Sequence, residues 1–116
     1  MSEVTAENEL EMIELSTEQA KEKIALAEAL ERLQKNRDYK KIFTNKFFNT
    51  HATRLVKLKA DMRMQDEPNQ KYINSQIDAI GQLNQFMLFV KQEGVIAEQT
   101  IASNEEARES IHSEGA

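Results

Sequence analysis

Cysteine is absent from this chain, proline occurs once, as Pro68, and glycine three times. Without cysteine there is no disulfide framework, no thiolate metal site and no cysteine nucleophile, and the composition fits a reducing compartment. Scarce glycine and proline leave few places for tight turns and predict few strands. No apolar run approaches the ~20 residues that a membrane-spanning helix requires, so no membrane association is expected. The N-terminal stretch is acidic and has no apolar h-region, from which we expect no signal peptide. Histidine is limited to His51 and His112, and neither H-x-x-x-H nor D-x-D-x-D occurs, so no metal site is expected. No G-x-S-x-G elbow, no Ser–His–acid set and no G-K-[ST] phosphate loop is present. The chain therefore reads as a non-enzyme with no cofactor.

What is present is charge, in blocks. Residues 1–34 carry nine acids against three bases, residues 35–63 nine bases against two acids, and residues 64–116 nine acids against three bases. A net charge of −5 thus hides blocks of −6, +7 and −6. Two explanations compete for this pattern. Acidic outer helices flanking a basic middle helix would favour one pairing within the chain, each exposed ion pair adding only ~0.2–1 kcal/mol. Alternatively, the basic block meets an acidic partner.

Hydrophobic spacing predicts an all-α fold: an antiparallel helical hairpin plus a longer third helix, three-helix-bundle-like, with a short C-terminal helix and a flexible acidic N-terminus. Residues 1–15 read as a mobile acidic segment. Ser16-Thr-Glu-Gln19 fits a capping box that opens a first helix over about 17–35, where Ala20, Ile24, Ala27, Leu30 and Leu33 keep helical spacing. Lys35-Asn36-Arg37 reads as a stop with a left-handed Asn, and Asp38 as the cap of a second helix over about 38–64. There Phe43, Phe47, His51, Leu55, Leu58 and Met62 form one face, and Phe43, Phe47, Leu55 and Leu58 are the expected hairpin core. His51 reads as a helix residue at the core edge. Pro68, with acids before it, opens a third helix over about 68–102. Ser103-Asn-Glu-Glu106 fits a second capping box, so residues 103–116 are expected to form a short helix and an acidic tail.

The third helix carries two apolar stripes. Ile73, Ile77, Ile80, Leu83, Met87, Val90, Gly94, Ala97 and Ile101 follow near-heptad spacing, and Phe86, Phe89 and Ile96 flank them. Two stripes imply contacts on two sides, one to the fold and one to another subunit. The expected partner contact is Ile80, Leu83, Phe86, Met87 and Val90. The alternative working surface is charged: Lys40, Lys41, Arg54, Lys57 and Lys59 on the second helix. Gly81 and Gly94 cost the helix ~1 kcal/mol each relative to alanine and mark close backbone approach or a kink.

The runs LERLQKNRDYKKIF, THATRLVKLKADMRMQ and INSQIDAIGQLNQFMLFVKQEGVIAEQTI, with the order L-x-x-L-x-K-N-x-D-Y, A-x-R-L-V and A-E-x-x-I ahead of an acidic tail, span most of the chain. They resemble a group of small acidic helical proteins encoded by tailed bacteriophages. The resemblance implies a viral origin and a place among head or connector proteins, and it supplies no catalytic residue. The expected function is that of a phage accessory or structural protein, working through helix-mediated self-association or docking onto a virion or assembly partner. Its expected location is the host cytoplasm or the virion. The alternative is a phage effector that binds and inhibits a host protein or nucleic-acid enzyme. A third reading, direct nucleic-acid binding through the basic helix, is less favoured because its aromatics sit at core spacing.

Overall fold

The computed structural model describes residues 3–115, and every regular element among them is helical. Helix α1 spans Glu3–Lys35. Helix α2 occupies residues 37–60 in three uninterrupted stretches: an α-helical start (Arg37–Tyr39), a π-helical middle (Lys40–His51) and an α-helical end (Ala52–Ala60). A 3₁₀ turn, Met62–Met64, leads to helix α3, Glu67–Gly115. The all-α expectation is met.

The boundaries differ from expectation in five places. Helix α1 does not begin at Ser16; it is already helical at Glu3, so residues 3–15 of the expected mobile segment are helix, and residues 1–2 lie outside the described residues. Asn36 is not left-handed: its φ is −64°, and its side chain caps α2 by accepting from the backbone N–H groups of Asp38 and Tyr39. Asp38 therefore lies in the first turn instead of capping it. Helix α2 ends at Ala60 instead of Met64, because Asp61 turns extended and caps the 3₁₀ turn by accepting from Arg63 N–H. No separate C-terminal helix starts at Ser103, which is inside α3. The break around Pro68 is where it was expected, and Asp66 accepts from Asn69 N–H at 3.2 Å as the helix opens.

The chain divides into two compact units, one made of Met1–Leu30 and Val90–Ala116 and the other of Glu31–Phe89. The first joins the N-terminal part of α1 to the C-terminal part of α3. Lys23 reaches Glu93 at 3.3 Å, and Asn104 Nδ2 donates to Ser16 Oγ and Thr17 Oγ1, both at 3.1 Å. Positions rise along one helix as they fall along the other, so the pair is antiparallel. Ala20, Val90, Gly94 and Ala97 are buried there. A Cβ added at Gly94 would stand 2.5 Å from Ala27 Cβ, so this glycine is the close backbone approach.

The second unit holds the end of α1, all of α2, the turn and α3 up to Phe89. Its buried residues are Tyr39, Leu55, Ile73 and Met87. Tyr39 Oη donates to Met87 Sδ at 2.9 Å and Gln34 Nε2 to the same sulfur at 3.6 Å, which fixes the beginning of α2 beside Met87. At the other end, Gln70 Nε2 donates to the carbonyls of Lys59 and Met64. Helix α2 and this part of α3 are thus antiparallel too. Phe43, Phe47 and Leu58 of the expected core are half-buried, and only Leu55 is closed from solvent at 2% exposure.

Candidate interaction surfaces

Helix α2 carries the basic surface. Lys40, Lys41, Arg54, Lys57 and Lys59 are all exposed, and Lys46 with them. Among the described residues no carboxylate lies within 4.0 Å of any of these six. Arg54 Nη2 instead donates to His51 Nδ1 at 2.9 Å. The expected ionic pairing of the basic helix with acidic neighbours is therefore not what joins the helices: among the described residues the four ion pairs are Lys21–Glu18, Lys23–Glu93, Lys35–Glu31 and Arg63–Asp61. Only Lys23–Glu93 links two helices, and it links the two acidic ends.

A ring ladder runs along the opposite character of the same helix. Tyr39 and Phe43 stack at 5.0 Å, Phe43 meets Phe47 edge-on at 6.1 Å, and Phe47 stacks on His51 at 5.9 Å, with Phe48 edge-on to Phe47 at 5.1 Å. Such pairs add ~0.5–1.5 kcal/mol each beyond their buried area. Long π-helical stretches are rare, because single π turns are the usual form. Here the bond from Thr50 Oγ1 to the Asn45 carbonyl, five residues back, lies within that stretch. Rings at four-residue spacing also suit an ordinary α-helix, so the sequence carried no distinct sign of the π stretch.

The expected partner stripe on α3 divides. Met87 and Val90 are buried inside the chain, Ile80 and Leu83 are half-buried, and only Phe86, at 60%, is exposed. The main stripe is thus the internal packing seam. The flanking residues are exposed: Phe86 and Phe89 in the second unit, and Ile96 in the first. Tyr72, Leu88, Ile42, Val56 and Met62 are further exposed apolar groups of the second unit, Met62 at 90%. In the first unit, α1 exposes Met12, Leu15 and Leu26.

The turn between α2 and α3 is held by polar contacts. The Arg63 guanidinium and backbone N–H hold the Asp61 carboxyl below its ordinary value of 3.8. The Asn69 side-chain amide, then its backbone N–H, do the same for Asp66. Gln65 Nε2 donates to the Lys59 and Asp61 carbonyls, satisfying acceptors that the helix end leaves open.

Nothing at these surfaces gathers reactive groups. Among the described residues no set of three or more His, Cys, Asp or Glu is placed to hold a metal ion. Glu109 and His112 have the E-x-x-H spacing near the end of α3, but no third ligand joins them. A hollow beside Glu67, Lys71, Asn74 and Asp78 is lined by α3 alone, a furrow along one helix rather than a cavity. Among the described residues no helix is long and apolar enough to cross a membrane. No protein-family model matches the chain, and no curated protein and no solved structure matches it either.

Proposed function

We propose that this chain is a non-enzymatic accessory or structural protein of a tailed bacteriophage, acting through helix-mediated self-association or by docking onto a virion or assembly partner. The observation that carries the reading is the imbalance of apolar surface. Seven hydrophobic residues are buried among the described ones, while thirteen large hydrophobic side chains are exposed. Scattered exposed apolar groups are ordinary, but a chain this small that exposes more large ones than it buries gains stability from being covered. On this reading the hairpin and the long third helix complete a bundle only when a partner supplies the missing side. The protein then acts in the host cytoplasm and can travel in the virion.

The contact residues proposed here are Phe86 and Phe89, with Ile80 and Leu83 supporting them from the half-buried edge. The Phe86→Asp, Phe89→Asp double variant changes exposed positions only, so helicity by circular dichroism should be retained. The expected result is loss of the wild-type oligomer in light scattering behind a sizing column. An unchanged mass for that variant overturns this contact.

The unpaired bases of α2 favour one second reading: an effector that binds and inhibits a host protein or nucleic-acid enzyme through Lys40, Lys41, Arg54, Lys57 and Lys59. A host-protein pull-down that is lost when these residues are changed to glutamate would support it.

A further inference from the structure

The fold sorts charge by unit. The unit of Met1–Leu30 and Val90–Ala116 carries fourteen acids and four bases, a net of −10, and the unit of Glu31–Phe89 carries eleven bases and six acids, a net of +5. Both acidic ends of the chain thus pair with each other, against their mutual repulsion. Among the described residues, ion pairs answer little of either charge, two of them within each unit. In the acidic unit only Glu18 and Glu93, of the carboxylates on described side chains, have a base within 4.0 Å. In the basic unit the lysines of α2 have no carboxylate that near.

Helix α1 of the acidic unit also presents an unused seam. Met12, Leu15, Gln19, Glu22 and Leu26 step by three and four, the spacing of a coiled-coil face, and all five are exposed. This is a different face from the one that packs through Ala20, Ile24 and Ala27. Glu11 and Glu18 border the seam, Glu22 lies in it, and all three are exposed. The basic unit offers the opposite charge: α2 exposes Ile42 next to Lys40 and Lys41 in sequence, and Val56 next to Lys57 and Lys59.

We infer, resting on the self-association reading above, that the partner is a second copy of this chain, the acidic unit of one copy seating its α1 seam against α2 in the basic unit of the other. Opposite charge steers this encounter and disfavours like unit on like unit. Each copy offers one surface of each sign. A closed pair satisfies both, and a contact that fails to close runs on into a longer series. A nucleic acid would meet the same lysines, but it would leave the α1 seam bare and would face a protein of net charge −5.

The test is absolute mass at about 0.01 M and about 1 M salt, where the screening length is ~30 Å and ~3 Å. At low salt the wild type should weigh at least twice its 13.3 kDa chain, and its mass should fall at high salt. Two variants are then compared at low salt, with circular dichroism as the check on folding. One is Lys40→Glu, Lys41→Glu, Lys57→Glu, Lys59→Glu; the other is Glu11→Lys, Glu18→Lys, Glu22→Lys. Each alone should weigh less than the wild type at low salt, and an equimolar mixture should regain the wild-type mass. An oligomer that ignores salt and both charge variants, yet falls apart in the Phe86→Asp, Phe89→Asp variant, overturns this pairing and leaves self-association standing. A wild type that is monomeric at both salts overturns both. A monomer that gains mass only with random-sequence duplex DNA replaces the second copy by a polyanion.

Discussion

The acidic and the basic unit pair helices in two different ways. In the acidic unit the buried side chains are small: Ala20 and Ala97 beside Val90, with Gly94 against Ala27. Small residues let two backbones approach closely but remove little apolar area from water, and each square ångström contributes only ~25 cal/mol. A polar contact, Asn104 to Ser16 and Thr17, supplies part of what the apolar seam does not. In the basic unit the buried residues are large, Leu55, Ile73, Tyr39 and Met87, and rings line one helix. Connectivity separates them as well. The helices of the basic unit are joined by the short links at Asn36 and 61–66. The acidic unit brings together the two ends of the chain and has the entropy of everything between them to overcome. Tight spacing with a thin core, against looser spacing with a fuller one, predicts that the acidic unit opens first.

The largest expected effect sharpens that contrast. Leu55→Ala should destabilise the basic unit by ~2–5 kcal/mol, since Leu55 is the most enclosed large side chain and its removal leaves a cavity. Urea denaturation followed by circular dichroism measures it, and a loss below about 1 kcal/mol would mean the core relaxes around the gap.

Next comes the glycine pair. Gly94→Ala puts a Cβ 2.5 Å from a second Cβ that its own backbone holds in place, so the helices must separate. The cost should be ~1–3 kcal/mol, and adding Ala27→Gly should recover part of it. Gly81 is the control, with nothing within 4 Å of an added Cβ. Gly81→Ala should stabilise by ~0.4–1 kcal/mol through reduced freedom of the unfolded chain. Equal effects at the two glycines would remove the distinction between close and loose packing. Of intermediate size is Tyr39→Phe, which deletes the O–H···S bond to Met87 and should cost ~0.5–1.5 kcal/mol in the same urea experiment.

The helical class was legible because scarce glycine and proline and three-four spacing agree along most of the chain. The false helix start at Ser16 has a physical cause. Ser16 carries the composition of a cap, but here its Oγ accepts from Asn104 Nδ2 across a helix pair. Short-range pattern cannot tell an oxygen that accepts from its own backbone from one that accepts from a partner helix. Met87 and Val90, expected in the partner contact on α3, are instead buried within the chain, Met87 against Tyr39. Periodicity gives a face and not what covers it. Charge blocks misled in a similar way: opposite blocks suggested pairing, whereas small-residue complementarity brought the two acidic ends together.

The smallest effect belongs to the turn that only the basic unit possesses. Asp61 is held below its ordinary value of 3.8 chiefly by the side-chain bond from Arg63, and Asp66 by the bond from Asn69. A carboxylate with a lowered folded value stabilises fully above its unfolded value and loses that contribution as pH falls through the folded one. Acidification below about pH 4 should therefore loosen the α2–α3 turn. The comparison that isolates it is wild type against Asp61→Asn, which keeps an oxygen to cap Arg63 N–H but gives up the charge. The advantage of wild type should be present at about pH 5 and vanish towards about pH 2. Because the pair lies on the surface, added salt should shrink that advantage. A difference that grows on acidification would place the stabilising carboxylate elsewhere. Amide exchange around Gly94 should not respond to this substitution, since no residue of the turn belongs to that helix pair.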